Sequence, residues 1–153
     1  MQRNPTASQN TAHARASEPF VSLHPKDNFY QSVSFFPMPF ALVTTVNEAG
    51  VTSIGPHSLA FPFDLIEHPS MMLISRASSN TATNLRARPK CALNFVEYDE
   101  TWLEAIVALG YPGRSPEEKM ADTPFTLIPS PSPKTANDPA FPLILKEAFQ
   151  VYE

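Results

Sequence analysis

Proline is the residue that most constrains how this chain can fold. The 153 residues include 17 prolines and only four glycines, and eight of the prolines lie beyond Tyr111. Each proline fixes φ and lacks a backbone N–H, so it interrupts helices and the interior of sheets. We therefore expect the last third of the chain to carry little regular structure.

Length and composition favour one soluble domain. A chain of this length buries a sizeable core when it folds compactly, and a hydrophobic fraction of 42% supports such a core. No uninterrupted apolar run approaches the ~20 residues that cross a bilayer. The net charge of −4 argues against nucleic acid as a partner, because binding to the phosphate backbone needs a dense positive surface.

The single cysteine, Cys91, excludes an internal disulfide and any multi-cysteine metal site. That usage is compatible with a reducing compartment, so we expect a cytoplasmic protein. Residues 1–22 are polar and almost free of large apolar side chains, which predicts a disordered tail before one domain over 23–153. Arg3 and Arg15 precede the first acid, as in a transit peptide, but the tail has no apolar face.

Hydrophobic patterning and turn residues predict a mainly β chain with short helices, an α+β class. The predicted strands cover 40–47, 51–63, 71–75 and 90–97, and a last one, cut off at its start, lies within 141–153. The predicted helices cover 25–33, 78–89, 99–109 and 115–122.

The segment VTSIGPHSLAFPF, residues 51–63, has strand-forming ends and an irregular middle. Gly55, Pro56, His57 and Ser58 fall where a plain strand would lose ladder hydrogen bonds. We predict a gap in the strand over Gly55–Ser58. The alternative is a β-bulge that only bends the strand, as barrels commonly require.

No familiar catalytic motif accompanies this segment. The four glycines never form a dinucleotide or Walker phosphate loop, and His57 and His68 lack the neighbouring ligands of a metal site. Ser58 beside His57 is not a nucleophile elbow, because the G-x-S-x-G pattern is missing. We therefore assign no catalytic side chain and no metal.

Two clusters in a fixed order carry a resemblance. The first cluster contains Pro39, Val43, Thr44, Thr45, Gly50, Pro56 and Ser58, and the second contains Arg76, Ser78, Ser79, Asn80, Thr81, Asn84 and Asn94. Their types and order resemble the flavin reductase-like family, whose fold is the FMN-binding split barrel of flavoredoxin-like proteins. The resemblance covers roughly residues 29–96 and continues more faintly beyond them.

The resemblance implies an antiparallel split β-barrel that binds FMN and passes hydride from NAD(P)H to the flavin. It also implies a homodimer, with small-molecule flavin and nicotinamide as its other partners. A flavin brings its own redox chemistry, so the protein mainly holds the ring and neutralises the phosphate.

The resemblance also implies a set of cofactor-binding residues. Arg76, Ser78, Ser79 and Thr81 would bind the phosphate at a helix N-terminus. Backbone groups of Gly55, Pro56, His57 and Ser58 would face the ring edge, with the hydroxyls of Thr44, Thr45 and Ser58 nearby, and Asn84 completes the set. The alternatives are a plain helix cap for Ser79 and Asn80 and a solvated strand end for Arg76. Phe61 and Phe63 either flank the ring or belong to the core.

The chain departs from the family pattern in three ways. Ser53 stands where the family commonly has Asn, and Asn80 stands where it usually has Asp. The family also continues for several more strands, so we expect a barrel that is incomplete at its C-terminus. Two alternatives therefore stay open: a non-catalytic fragment that serves as an interaction or structural module, and a flavin-binding protein that serves another electron donor.

Overall fold

The computed structural model describes residues 39–64, 66–111 and 113–153. The tail predicted over 1–22 and the helix predicted over 25–33 lie outside this part of the chain. The described strands are β1 (Ala41–Val46), β2 (Thr52–His57), β3 (Ala60–Asp64), β4 (Ser70–Leu73), β5 (Cys91–Val96), β6 (Leu127–Ile128), β7 (Ile144–Leu145) and β8 (Ala148–Tyr152). The described helices are α1 (Asn80–Ala87), α2 (Glu100–Gly110) and α3 (Pro116–Ala121).

The described strands form three antiparallel sheets. Four strands make the largest sheet in the order β2–β1–β5–β8, and two smaller sheets pair β3 with β4 and β6 with β7. Every pairing is antiparallel. The expected class, mainly β with short helices, is confirmed. Within the described residues the three sheets do not close into one barrel.

A tight turn joins β1 to β2, as its glycine predicts. Gly50 has a φ of +83°, which glycine adopts at little cost because it has no Cβ. Asn47 fixes the turn: its backbone carbonyl accepts the Gly50 N–H at 3.0 Å, and its side-chain oxygen accepts the Val51 N–H at 2.8 Å.

The strand that the sequence predicts to be interrupted runs through its proline. In β2 the segment Gly55–His57 pairs with Ala41–Val43 of β1. The predicted gap over Gly55–Ser58 is therefore wrong for its first three residues, and the chain leaves the strand only at Ser58–Leu59. The physical reason is position, because β2 is an edge strand among the described residues, and an edge tolerates the missing N–H of Pro56.

Apolar side chains pack on both faces of the four-stranded sheet. Strand β1 is buried along its whole length, and successive side chains of a strand point to opposite faces. Leu42 accordingly packs in one cluster with Ile106 of α2, whereas Ala41 and Val43 pack in another with Ala60 of β3. Helix α2 and the small β3–β4 sheet thus cover opposite faces of the same central strand.

The three described helices begin within two residues of their predicted starts. The side chains of Ser79 and Asp99 accept first-turn N–H groups of α1 and α2. At α3, Ser115 and Glu118 bond each other's backbone in a capping box. None of these described helices has the length and apolar character that crossing a bilayer requires.

The C-terminal third carries more structure than its prolines predict. It contains α3 and three strands, and β8 pairs with β5 over Leu93–Val96. The predicted last strand therefore exists, as a five-residue element rather than one cut off at its start.

Two aromatic side chains of β3 lie outside both apolar clusters. Phe61 is 44% exposed and Phe63 is 70% exposed. The alternative that Phe61 and Phe63 belong to the hydrophobic core is therefore wrong.

Candidate functional site

A cavity of about 170 Å³ lies at the outer edge of β2. Its walls come from β2, from the loop before α1 and from the segment that joins α2 to α3. Seven of the eleven cofactor-binding residues implied by the resemblance line it: Gly55, Pro56, His57, Arg76, Ser78, Ser79 and Thr81. Residues that lie far apart in the sequence therefore meet at one strand edge.

The cavity wraps around this edge, because β2 directs alternate side chains to opposite faces. Ser53 and His57 face α1, where they form hydrogen bonds with Asn84 and Thr81. Pro56 faces α2, since a Cβ on Gly110 would lie 3.3 Å from the proline Cγ. One wall thus belongs to α1 and its preceding loop, and the opposite wall belongs to α2 and α3.

Gly55 marks the closest approach of β2 to α1. A Cβ added there would lie 2.7 Å from Thr81 Oγ1 and 3.3 Å from His57 Nε2. Since Thr81 is itself buried, it has little room to withdraw. The absence of a side chain at Gly55 is what allows this wall to close.

His57 and Thr81 are joined by a hydrogen bond of 3.0 Å between Nε2 and Oγ1. Burial lowers the pKa of His57, and a weaker opposing effect comes from the hydrogen bond between the ring and the Ile74 backbone. His57 Nε2 and Thr81 Oγ1 are therefore hydrogen-bond partners of each other within the wall.

The loop before α1 brings a cation and a hydroxyl to the cavity. Arg76 and Ser78 are exposed side chains on its surface. Ser79 caps α1 and also shares a hydrogen bond of 2.7 Å with Ser75, so the cap role expected as an alternative is confirmed. Arg86 fixes the loop with two bonds of 2.9 Å to a loop carbonyl. The positive end of α1 therefore adjoins Arg76.

Arg114 and Lys119 supply two further cations that the sequence does not single out. Lys119 Nζ donates to the Leu109 carbonyl at 2.8 Å, and burial and the Arg114 charge lower the pKa of Lys119. Arg114 Nη2 donates to the Glu118 carbonyl at 2.8 Å and to Asp122 at 2.6 Å. The capping box locates α3 in the sequence, but no local signal indicates that α3 lies beside β2.

The other four residues implied by the resemblance do not line the cavity. Thr44 and Thr45 are wholly buried, so direct contact between their hydroxyls and a ligand finds no support in this placement. Asn84 is also buried and donates to Thr45 Oγ1 at 3.0 Å and to Ser53 Oγ at 3.2 Å. Asn84 and Thr45 support the α1 wall from behind. Thr44 lies on the other face of β1, where it bonds Ala92 and Asn94, and Ser58 is exposed beyond the end of β2.

The cavity has the electrostatic character of an anion site. Arg76, Arg114 and Lys119 line it, and no carboxylate of the described residues does. Asp122, the ion-pair partner of Arg114, is itself largely exposed. The described residues also contain no group of three His, Cys, Asp or Glu side chains that could hold a metal ion.

The donor set fits the phosphate end of a flavin, and the volume limits how much of the ligand can enter. A guanidinium, a serine hydroxyl and a helix N-terminus are typical phosphate partners. At about 170 Å³, the cavity is smaller than the ~300–1,000 Å³ of usual small-molecule sites. A flavin ring would have to lie outside it.

No protein-family model matches the chain, and no curated protein matches it significantly. Among solved structures, it is similar to the 2-nitrobenzoate 2-nitroreductase NbaA of Pseudomonas fluorescens, with 23% identity, a TM-score of 0.65 and coverage of 86% of this chain and 60% of the other. It is also similar to nitrilotriacetate monooxygenase component B of Bacillus cereus, with 22% identity, a TM-score of 0.64 and coverage of 86% and 65%.

A third similar structure carries the name of the fold. It comes from Shewanella frigidimarina and is provisionally named a flavin reductase with a split barrel domain; it shows 19% identity, a TM-score of 0.63 and coverage of 86% of this chain and 62% of the other. The chain thus spans between 60% and 65% of the length of these structures. It has the fold of the flavin reductase-like split-barrel proteins.

Proposed function

We propose that the chain is an FMN-binding oxidoreductase of the flavin reductase type, in which NAD(P)H passes hydride to the flavin. The observation that carries this proposal is the carboxylate-free cavity, which Arg76, Ser78 and the N-terminus of α1 line together. The shared split-barrel fold supports it, because flavin reductases are among the proteins with that fold.

The residues of the chain would bind and orient the cofactor rather than react. Arg76 and Ser78 would donate to the phosphate, with the positive end of α1 behind them. Gly55 lets the wall close, and His57 fixes the orientation of the Thr81 hydroxyl. A bound flavin supplies the hydride-accepting ring, so no nucleophile or metal from the protein is needed.

The small volume of the cavity supports a homodimer. A flavin ring that lies outside the cavity of about 170 Å³ would be open to solvent on a single chain, and a second copy would cover it. We propose this dimer from the family resemblance and the cavity volume, and a cytoplasmic location from the single cysteine. Size-exclusion chromatography with light scattering tests the dimer, and the mass of a single chain in the presence of FMN would contradict it.

The test of the cofactor is a titration of the purified chain with FMN and with riboflavin, which lacks the phosphate, followed by flavin fluorescence. FMN should bind more tightly, and Arg76→Gln should weaken FMN about tenfold, the effect of one charge-assisted hydrogen bond. Arg88→Gln is the matched control, because Arg88 donates to the Glu48 carbonyl at 3.1 Å and lies outside the cavity.

The remaining step is hydride transfer, which oxidation of NADH or NADPH by the FMN-loaded protein tests. Absence of FMN binding at about 50 μM, a concentration that detects even weak complexes, would overturn the proposal. FMN binding without oxidation of either nucleotide would indicate a flavoprotein that serves another electron donor.

A second candidate is a non-catalytic module with the same fold. The observation in its favour is again the cavity, since about 170 Å³ cannot enclose a flavin. A stable, flavin-free monomer that ignores both FMN and riboflavin would favour this candidate.

A further inference from the structure

The wall of the cavity opposite Arg76 contains a pair of cations. A single phosphate bound by Arg76 and the N-terminus of α1 would leave this pair without a ligand. Arg114 and Lys119 come from the segment between α2 and α3 and from α3 itself. Arg76 comes from the loop before α1, on the other side of the β2 edge. The cavity therefore has one cation on one wall and two cations on the opposite wall.

Both cations on the α2–α3 wall keep donors for a ligand. A lysine ammonium has three N–H donors, and the one hydrogen bond that Lys119 makes within the described residues goes to the Leu109 carbonyl. The bonds of Arg114 to Glu118 and Asp122 both use Nη2. Its Nε and Nη1 donors make no hydrogen bond to the described part of the chain.

The pair is also held close at an electrostatic cost. Arg114 lies near enough to disfavour the charged form of Lys119, in addition to the effect of burial. Asp122 compensates only Arg114, from an exposed position. An anion between the two side chains would offset both the repulsion and the lost hydration.

We propose that Arg114 and Lys119 form a second anion subsite, so that the cavity takes a diphosphate with one phosphate on each wall. This inference rests on the proposed flavin function and deepens it. With the proposed flavin function, the diphosphate is that of FAD or of a nicotinamide dinucleotide, whereas FMN occupies the Arg76 wall alone. Each phosphate of such a diphosphate carries a negative charge, which matches cations on both walls.

The test measures binding of FMN, FAD and NADH, each alone, to the full chain by calorimetry. Lys119→Met should weaken the diphosphate ligand about tenfold, as loss of one charge-assisted hydrogen bond predicts. The affinity for FMN should change by no more than about twofold in the same variant. Lys119→Arg should restore the affinity for the diphosphate ligand. The dinucleotide that loses affinity identifies the source of the diphosphate.

Two further variants distinguish a lost contact with the ligand from a general effect of substitution on the fold. Lys134→Met, at an exposed lysine outside the cavity, should leave all three affinities unchanged. Asp122→Asn removes the carboxylate that competes for Arg114, so it should strengthen diphosphate binding. Equal weakening of FMN and FAD by Lys119→Met would overturn the second subsite, because one phosphate would then use both walls.

Failure of this inference differs from failure of the proposed function. If FMN binds and Arg76→Gln weakens it, but neither dinucleotide responds to Lys119→Met, only the second subsite is wrong. If FMN does not bind at all, the flavin proposal itself is wrong.

Discussion

At the scale of single residues, Gly55 governs how closely β2 approaches α1. Gly55→Ala should destabilise the protein by about 1–3 kcal/mol, the usual cost of overpacking, because the new Cβ would meet Thr81 Oγ1 at 2.7 Å. Urea unfolding measures the change. In a double-mutant cycle with Thr81→Ala the cost should shrink, since the atom that clashes is gone. A Gly55→Ala variant as stable as the wild type would contradict this packing.

Two buried asparagines should respond differently to the same substitution. Asn94 Nδ2 donates to the Leu42 carbonyl at 2.8 Å, and its side-chain oxygen accepts the Leu145 N–H at 2.9 Å. An ionised Asp at position 94 cannot donate, so the carbonyl loses its partner at a cost of about 1–3 kcal/mol. Asn84 donates only to hydroxyls, and a hydroxyl can turn to donate instead.

Asn94→Asp should therefore lower the free energy of unfolding more than Asn84→Asp does. Both variants bury a carboxylate, so the comparison isolates the hydrogen-bond partners. If urea unfolding at neutral pH gives equal losses of unfolding free energy, the difference between carbonyl and hydroxyl partners has no effect.

His57 should make the stability of the protein depend measurably on pH. Burial lowers its pKa from the ordinary value of 6.5, so between that value and the folded pKa the unfolded chain binds more protons. The contribution to stability is therefore fully present above about pH 6.5 and is lost as the pH falls. Thermal unfolding between about pH 5 and 8 should show that the stability of His57→Gln rises less steeply with pH than that of the wild type. The exposed His68→Gln is the control, and a slope unchanged by His57→Gln would refute the assignment.

Residue types could be predicted from the sequence, but their burial could not. Thr44 and Thr45 carry hydroxyls suited to a ring edge, yet β1 is covered on both faces and encloses them. Arg76 and Ser78 were found because they belong to one local cluster. Arg114 and Lys119 were missed, because only the fold brings α3 to β2.

At the scale of elements, helix starts were predictable because a cap depends on neighbouring residues alone. In α3, Ser115 Oγ accepts the Glu118 N–H at 3.2 Å, and Ser115 N–H donates to Glu118 Oε2 at 2.7 Å. Ser115→Ala should cost about 0.5–2 kcal/mol of local stability, which amide hydrogen exchange of α3 would detect.

Glu118→Gln is the matched variant for this cap, because glutamine also completes a capping box. It should speed exchange in α3 less than Ser115→Ala does. The reverse order would contradict the assigned capping geometry.

The continuity of β2 could not be predicted from its own residues. Gly55 and Pro56 predict a break in a central strand, and only the strand order places them at an edge. An edge strand tolerates the proline, and the cavity forms along the outer side of the same edge. The site therefore depends on the edge position of β2, which the residues of that strand do not reveal.

At the scale of the whole molecule, the cavity exists because three distant segments meet. The loop before α1, strand β2 and the α2–α3 segment each contribute part of the wall. The order of elements made the fold recognisable from the sequence, and the fold is confirmed by structures of 19–23% identity. The chain spans between 60% and 65% of those structures, and the sheets of its described residues do not close into one barrel.

The central claim is that this cavity binds the phosphate of a flavin. Amide ¹H–¹⁵N spectra of the labelled full chain, recorded during titration with FMN and then with riboflavin, test it most directly. FMN should shift the signals of Gly55 and of residues 78–81, and riboflavin should leave 78–81 unmoved. FMN that binds while these signals stay in place would contradict the account.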